Sequence, residues 1–101
     1  MIKMFFNPQV KPKRDEDQQY LAYIRTLSCT VPTCGRKAVP HHESSLSNDP
    51  GTAMKCSDYL AVPLCNWHHT KRGNMGFETF WEAYNLDPAR VVIKLLIEFI
   101  K

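Results

Sequence analysis

Leu60-Ala61-Val62-Pro63-Leu64-Cys65-Asn66-Trp67-His68-His69 is the stretch on which the fold turns. Its first half places Leu60, Val62 and Leu64 at every second position, the period of a half-buried strand. Pro63 has no N–H for a ladder, so it restricts this strand to an edge or a strand end. The second half changes character. Cys65 and His68 stand at the spacing of two ligands on one zinc knuckle. A helix is expected to carry Asn66 to about Arg72, with Gly73 as its stop.

Working outward, the same kind of half-site occurs upstream, where Cys29 and Cys34 are followed by Gly35. Gly35 supplies the permissive backbone that a tight metal knuckle needs. Cys29, Cys34, Cys65 and His68 then make a Cys3His set, which closes a tetrahedral zinc site and leaves no open position, so this zinc is structural. A small domain gains folding free energy from such an ion. Cys56 stands by itself in a polar stretch and is read as a thiol outside the ligand set.

All four histidines fall in two adjacent pairs, His41-His42 and His68-His69. Ala38 to His42 reads as a short strand. Neighbours on a strand point to opposite faces, so His41 and His42 are expected to take different roles, one on a metal and the other on water. Successive residues of a helix diverge by about 100°, so His68 can face the zinc while His69 faces the hairpin. His41 and His69 could then share a second, catalytic ion.

The flanks read as helices. Asp15 with Gln18 fits a capping box, and Tyr20, Ile24 and Leu27 recur on one helical face, ending near Ser28. Glu43 to Asp58 is rich in Ser, Asn, Asp, Pro and Gly and reads as a long loop. Phe77, Phe80, Trp81 and Tyr84 form an aromatic helix stripe, most simply core. Asp87 is an N-cap with Pro88 at the first helical position. Behind it Val91, Val92, Leu95, Leu96 and Phe99 make an apolar face that Ile93, Ile97 and Ile100 broaden. Such a helix is either well buried or part of a homodimer contact. The fold class is α+β: a zinc-stabilised core at about 29–73 with flanking helices, the C-terminal extension at 76–101. Residues 1–14, with Lys3, Lys11, Lys13 and Arg14, read as a basic arm ahead of a single domain at 15–101.

Composition narrows the classes. The 101 residues are 44% hydrophobic and 23% charged, with a formal net charge of +3. That is a globular domain, not a disordered tail, and its mild basic tilt permits a nucleic-acid partner without demanding one. The most apolar run, Val91 to Ile100, contains Lys94 and Glu98 and is too short to span a bilayer. No secretory signal is visible, so a soluble, cytoplasmic protein is expected, in which cysteines hold a metal or stay as thiols rather than form disulfides.

The string Cys29-x4-Cys34-Gly35, Pro40-His41-His42, Lys55-x2-Asp58 and Val62-Pro63-Leu64-Cys65-x2-His68-His69 resembles the HNH (ββα-metal) nuclease superfamily. Within it the likeness is to the phage and prophage recombination-enhancement, or Ref-like, nucleases. Tyr20-Leu21-Ala22-Tyr23-Ile24-Arg25 and Gly76-Phe77-x2-Phe80-x3-Tyr84 extend it, so that it covers roughly residues 20–88. The resemblance implies that His41 and His69 bind the catalytic metal and His42 is the general base. It implies that Asp58 ties down the loop. Gly73 stands where some of these enzymes carry a further metal-binding histidine, and Glu43 where an apolar residue is common.

The implied activity is metal-dependent hydrolysis of DNA phosphodiester bonds in single- or double-stranded substrate, with weak or no sequence specificity, in phage or prophage recombination or DNA processing. The catalytic ion would be Mg²⁺, Mn²⁺, Co²⁺, Ni²⁺ or Zn²⁺. Lys55, Lys71, Arg72 and Arg25 are the candidate phosphate contacts, with Arg36 and Lys37 weaker ones. The alternative is a non-catalytic zinc module that binds nucleic acid. It would need the Cys3His set but not His41, His42 or His69.

Overall fold

The computed structural model describes residues 15–47 and 56–101. The basic arm at 1–14, part of the long loop and the phosphate-contact candidate Lys55 lie outside the described residues. What is described is a mixed α+β fold. Helix α1 (Gln18–Arg25) leads into strand β1 (Val39–His42) and a 3₁₀ turn at Ser44–Leu46. A second 3₁₀ turn at Asp58–Leu60 leads into β2 (Ala61–Leu64), then α2 (Asn66–Met75), α3 (Phe77–Ala83) and α4 (Pro88–Ile100). Among the described residues no helix is long and apolar enough to cross a membrane.

β1 and β2 form an antiparallel hairpin in which Val39 faces Leu64, Pro40 faces Pro63, His41 faces Val62 and His42 faces Ala61. The two prolines are tolerated because opposed pairs in an antiparallel ladder alternate between hydrogen-bonded and non-hydrogen-bonded. Glu43 N–H donates to Leu60 O at 3.1 Å, which puts the flanking pairs in the bonded class and the proline pair in the other. A missing N–H there breaks nothing. Pro63 thus sits within the strand rather than at its end, and its carbonyl accepts the Thr30 N–H at 2.8 Å from the cysteine loop. All of β2 is buried, not only the alternate residues expected, because helices and the cysteine loop cover both faces.

Three helix boundaries differ from the sequence reading. α1 is capped by Asp17, whose carboxylate accepts the Tyr20 N–H at 2.9 Å, and not by Asp15. It ends at Arg25 rather than near Ser28, because Ser28 is drawn into a bridge with Lys37 that closes the cysteine loop. α2 runs through Gly73 to Met75. Glycine permits a helix end but does not impose one, and the break falls at Gly76, whose φ of 90° only glycine adopts easily.

The core joins Val62 and Leu64 of β2 to Phe80 and Trp81 of α3 and Val92 of α4, with Cys29, Val31 and Cys65 beside them. The aromatic stripe of α3 is therefore core, and Phe80 is fully buried. Phe99 at the far end of α4 packs edge-on against Tyr20 of α1, with ring centroids 5.0 Å apart. The cap predicted for α4 is present, Asp87 accepting from Ala89 N–H ahead of Pro88. Ile93, Ile97 and Ile100 of that helix remain exposed.

Candidate metal centres

The first centre is built from two turns. After Cys29 the chain bends back through Thr33 (φ 65°) and Gly35 (φ 70°), with Cys34 N–H donating to Val31 O and Cys29 N–H to Arg36 O. The left-handed Thr33 was not legible in the sequence, since a β-branched residue rarely adopts that backbone. The other half-site is the N-terminus of α2, which Cys65 caps by accepting the His68 N–H at 3.4 Å.

The four ligand atoms lie within 4.8 Å of one another. Nδ1 of His68 is 3.5 Å from the sulfurs of Cys29 and Cys34 and 3.2 Å from that of Cys65, and the Cys34 and Cys65 sulfurs are 3.8 Å apart. A tetrahedral zinc with ordinary bond lengths would set S–N edges at about 3.5 Å and S–S edges at about 3.8 Å. The donor set is therefore close to the size a zinc ion needs, with its widest pair, within 4.8 Å, drawing in by up to about 1 Å on binding. Burial pushes the Cys29 thiol up to about 11, so it would ionise when a cation takes the proton's place. Burial acts upward on Cys65 too, but the His68 N–H at the helix terminus and the neighbouring thiols outweigh it, and its pKa falls. Burial, with Lys71 and Arg36 nearby, lowers the His68 pKa and favours the neutral ligand form. Cys56 is not part of this cluster.

The second constellation lies between β1 and α2. The Nδ1 atoms of His41 and His69 are 2.8 Å apart. With Glu43 ionised, His41 Nε2 donates to it at 3.1 Å, an arrangement that leaves the lone pair of a neutral ring on Nδ1. Burial, His41 and Arg72 lower the pKa of His69, which favours its neutral form. Two imidazole lone pairs this close repel unless a proton or a cation lies between them. For a metal–nitrogen bond of about 2.1 Å, two ligands at a right angle would be about 3.0 Å apart, so the pair can serve as adjacent ligands of one ion. His42 turns to the opposite side, as strand alternation requires, and its Nε2 donates to Asp58 at 2.8 Å. Asp58 is fully buried and also accepts the Asp17 N–H at 2.8 Å, so one carboxylate ties His42 to the start of α1.

Glu43 was missed as a site residue. It is fully buried and takes a bidentate pair from Arg72, with Nε at 2.9 Å and Nη2 at 2.6 Å, and a bond from the Trp81 indole at 2.9 Å. Burial alone would raise its pKa, but the bonds from His41, Arg72 and Trp81 prevail and hold it down to about 2. A carboxylate beside a histidine pair was the available signal, but only the fold brings Arg72 and Trp81 to it.

The candidate phosphate contacts are placed differently from one another. Arg72 is turned inward onto Glu43, with only 12% of its side chain exposed. Lys71 donates to the Tyr84 hydroxyl at 2.9 Å and lies over the Trp67 ring. Arg25, Arg36 and Lys37 are exposed.

No family model, no curated protein and no solved structure matches this chain.

Proposed function

We propose that this chain is a metal-dependent DNA endonuclease of the HNH type, with a structural zinc and a separate catalytic ion. The observation that carries the reading is the convergence of His41 and His69 at 2.8 Å beside a third histidine, His42, held by a buried carboxylate. A hairpin followed by a helix, with the two candidate ligands on strand and helix, is the arrangement a ββα-metal core requires. A zinc module that only bound nucleic acid would need none of these three histidines.

His41 Nδ1 and His69 Nδ1 would hold the catalytic divalent ion, which supplies Lewis-acid charge to the scissile phosphate and the leaving 3′-oxygen. Glu43 fixes the His41 tautomer, so that Nδ1 faces His69. His42, with Nε2 committed to Asp58, takes a proton from water at Nδ1. The Asp58 carboxylate then stabilises the resulting imidazolium, the role of the buried acid in a catalytic triad. Sequence specificity is expected to be weak, because the described elements are short. The exposed Ile93, Ile97 and Ile100 stripe supports self-association through α4 as part of the same reading.

The test is cleavage of supercoiled plasmid and of single-stranded DNA by zinc-loaded protein, with Mg²⁺, Mn²⁺, Co²⁺ or Ni²⁺ added separately. Metal-dependent cleavage is expected, with His42→Ala slower by about 10²- to 10⁴-fold while folded. DNA binding without cleavage under every metal would replace this reading with the non-catalytic zinc module.

A further inference from the structure

Trp67 is 55% exposed, although it is the first large apolar residue of α2 and stands beside the zinc ligand His68. Its ring meets that of His68 edge-on, with centroids 4.9 Å apart, so the indole is held upright on the surface. Lys71 Nζ sits 4.8 Å from its centroid, a cation–π contact that leaves the other ring face available. Trp67 lines two adjoining surface grooves. One also contains Asn66, Thr70, Lys71 and Asn74, and the other Thr33, Cys34, Arg36 and His68. Among these described lining residues there is no carboxylate and no aliphatic side chain.

We propose that Trp67 is a stacking platform for an unpaired DNA base, with Lys71 and Arg36 taking the adjoining phosphates; this rests on the nuclease reading above. An aromatic face flanked by cations is the recurring device for single-stranded nucleic acid, since every base offers a π-face once unpaired. Asn66 and Asn74 can bond base edges. A peptide would need apolar subsites, and the described lining residues offer none besides the indole itself. Duplex DNA keeps its base faces stacked internally, so the platform discriminates for the unpaired strand.

The position also suits the proposed catalytic ion. Trp67 and His69 lie two residues apart on α2, about 200° around its axis. The shorter arc between them carries Gly73, Asn66 and Thr70, all exposed and none acidic. A strand whose phosphate reaches His41 and His69 can cross this arc, about half the girth of the helix, and set a base a few nucleotides away on Trp67.

The experiment compares wild type, Trp67→Ala and Trp67→Phe, each zinc-loaded, for binding to poly(dT), poly(U) and a duplex of mixed sequence. Zinc content and the thermal transition check folding. Wild type is expected to bind poly(dT) with quenching of the exposed indole, the second tryptophan, Trp81, being buried. Trp67→Ala should weaken poly(dT) binding by about tenfold or more, the scale of one lost stacked base, and Trp67→Phe should retain most of it. Duplex binding should change much less. Equal losses on poly(dT) and duplex, or no loss on either, would overturn the platform while leaving the nuclease reading intact. Tighter binding to poly(U) than to poly(dT) would overturn its assignment to DNA. Wild-type binding to none of the three would overturn both readings.

Discussion

Glu43 Oε2 lies 3.1 Å from His41 Nε2, and the same carboxylate is gripped from the other side by Arg72 and Trp81. A residue just past the end of the strand thus sets the orientation of a candidate metal ligand and ties the end of β1 to α2 and α3. Glu43→Gln would replace a charged acceptor with an amide that cannot satisfy all these donors. Loss of such outer support weakens metal binding by about 10- to 100-fold. Calorimetric titration of Mn²⁺ or Ni²⁺ into zinc-loaded protein should show that loss, and unchanged affinity in a folded variant would remove Glu43 from the site.

The same carboxylate predicts a pH effect. Its pKa is about 2 in the folded chain against an ordinary 4.5. A depressed carboxylate stabilises the fold above its unfolded pKa, and that contribution is lost as pH falls from about 4.5 through about 2. The scale is on the order of 3 kcal/mol. Loss of zinc in acid would itself unfold the chain, so the comparison is made above about pH 5, while zinc stays bound. There the carboxylate is ionised folded and unfolded alike, and the stability advantage of wild type over Glu43→Gln in denaturant titrations should be constant with pH. An advantage that falls between about pH 8 and 5 would contradict the assignment.

Among its partners, Asp58 accepts His42 Nε2–H on one carboxylate oxygen and the Asp17 N–H on the other. Asn at this position has one acceptor oxygen, so Asp58→Asn leaves one donor facing an N–H. Where that donor is His42, the imidazole must reverse its tautomer and Nδ1 can no longer take a proton. We expect kcat to fall by about 10²-fold or more with metal affinity unchanged, as in a triad whose acid is replaced by its amide. A variant with normal turnover would show that His42 is not the base.

Chelation should unfold the domain. Cys29, Cys34, Cys65 and His68 tie the loop after α1 to the start of α2. Purified protein should carry zinc at this site, and Cys34→Ala or a strong chelator should abolish the cooperative thermal transition. A metal-free protein with the same transition would show that the cluster is not a structural zinc site.

Gly73 lies one turn beyond His69, and a Cβ built there meets nothing within 4 Å. Gly73→Ala should stabilise the helix by about 1 kcal/mol. Gly73→His should add a third imidazole near His41 and His69 and bind Ni²⁺ more tightly than Gly73→Ala does. Equal affinity in the two variants would place the ion elsewhere.

Much of this was legible locally. The Cys29–Cys34 and Cys65–His68 spacings marked both knuckles because ligand pairs on a turn are a short-range matter. The Asp87-Pro88 start of α4 was equally plain, since capping depends on a residue and its immediate neighbours. Strand alternation separated His41 from His42, and the helical angle separated His68 from His69. Gly73 misled because glycine allows a helix to end without deciding that it does, and Asp15 because Asp17 offers the same cap nearer the helix. What the sequence could not contain was partnership across distance. Glu43 meets Arg72 and Trp81, Asp58 meets Asp17, and Trp67 stays in solvent while Trp81 is buried. Each of these depends on how the hairpin, α1, α2 and α3 pack together, and hydrogen bonding and burial are properties of that packing rather than of residue type.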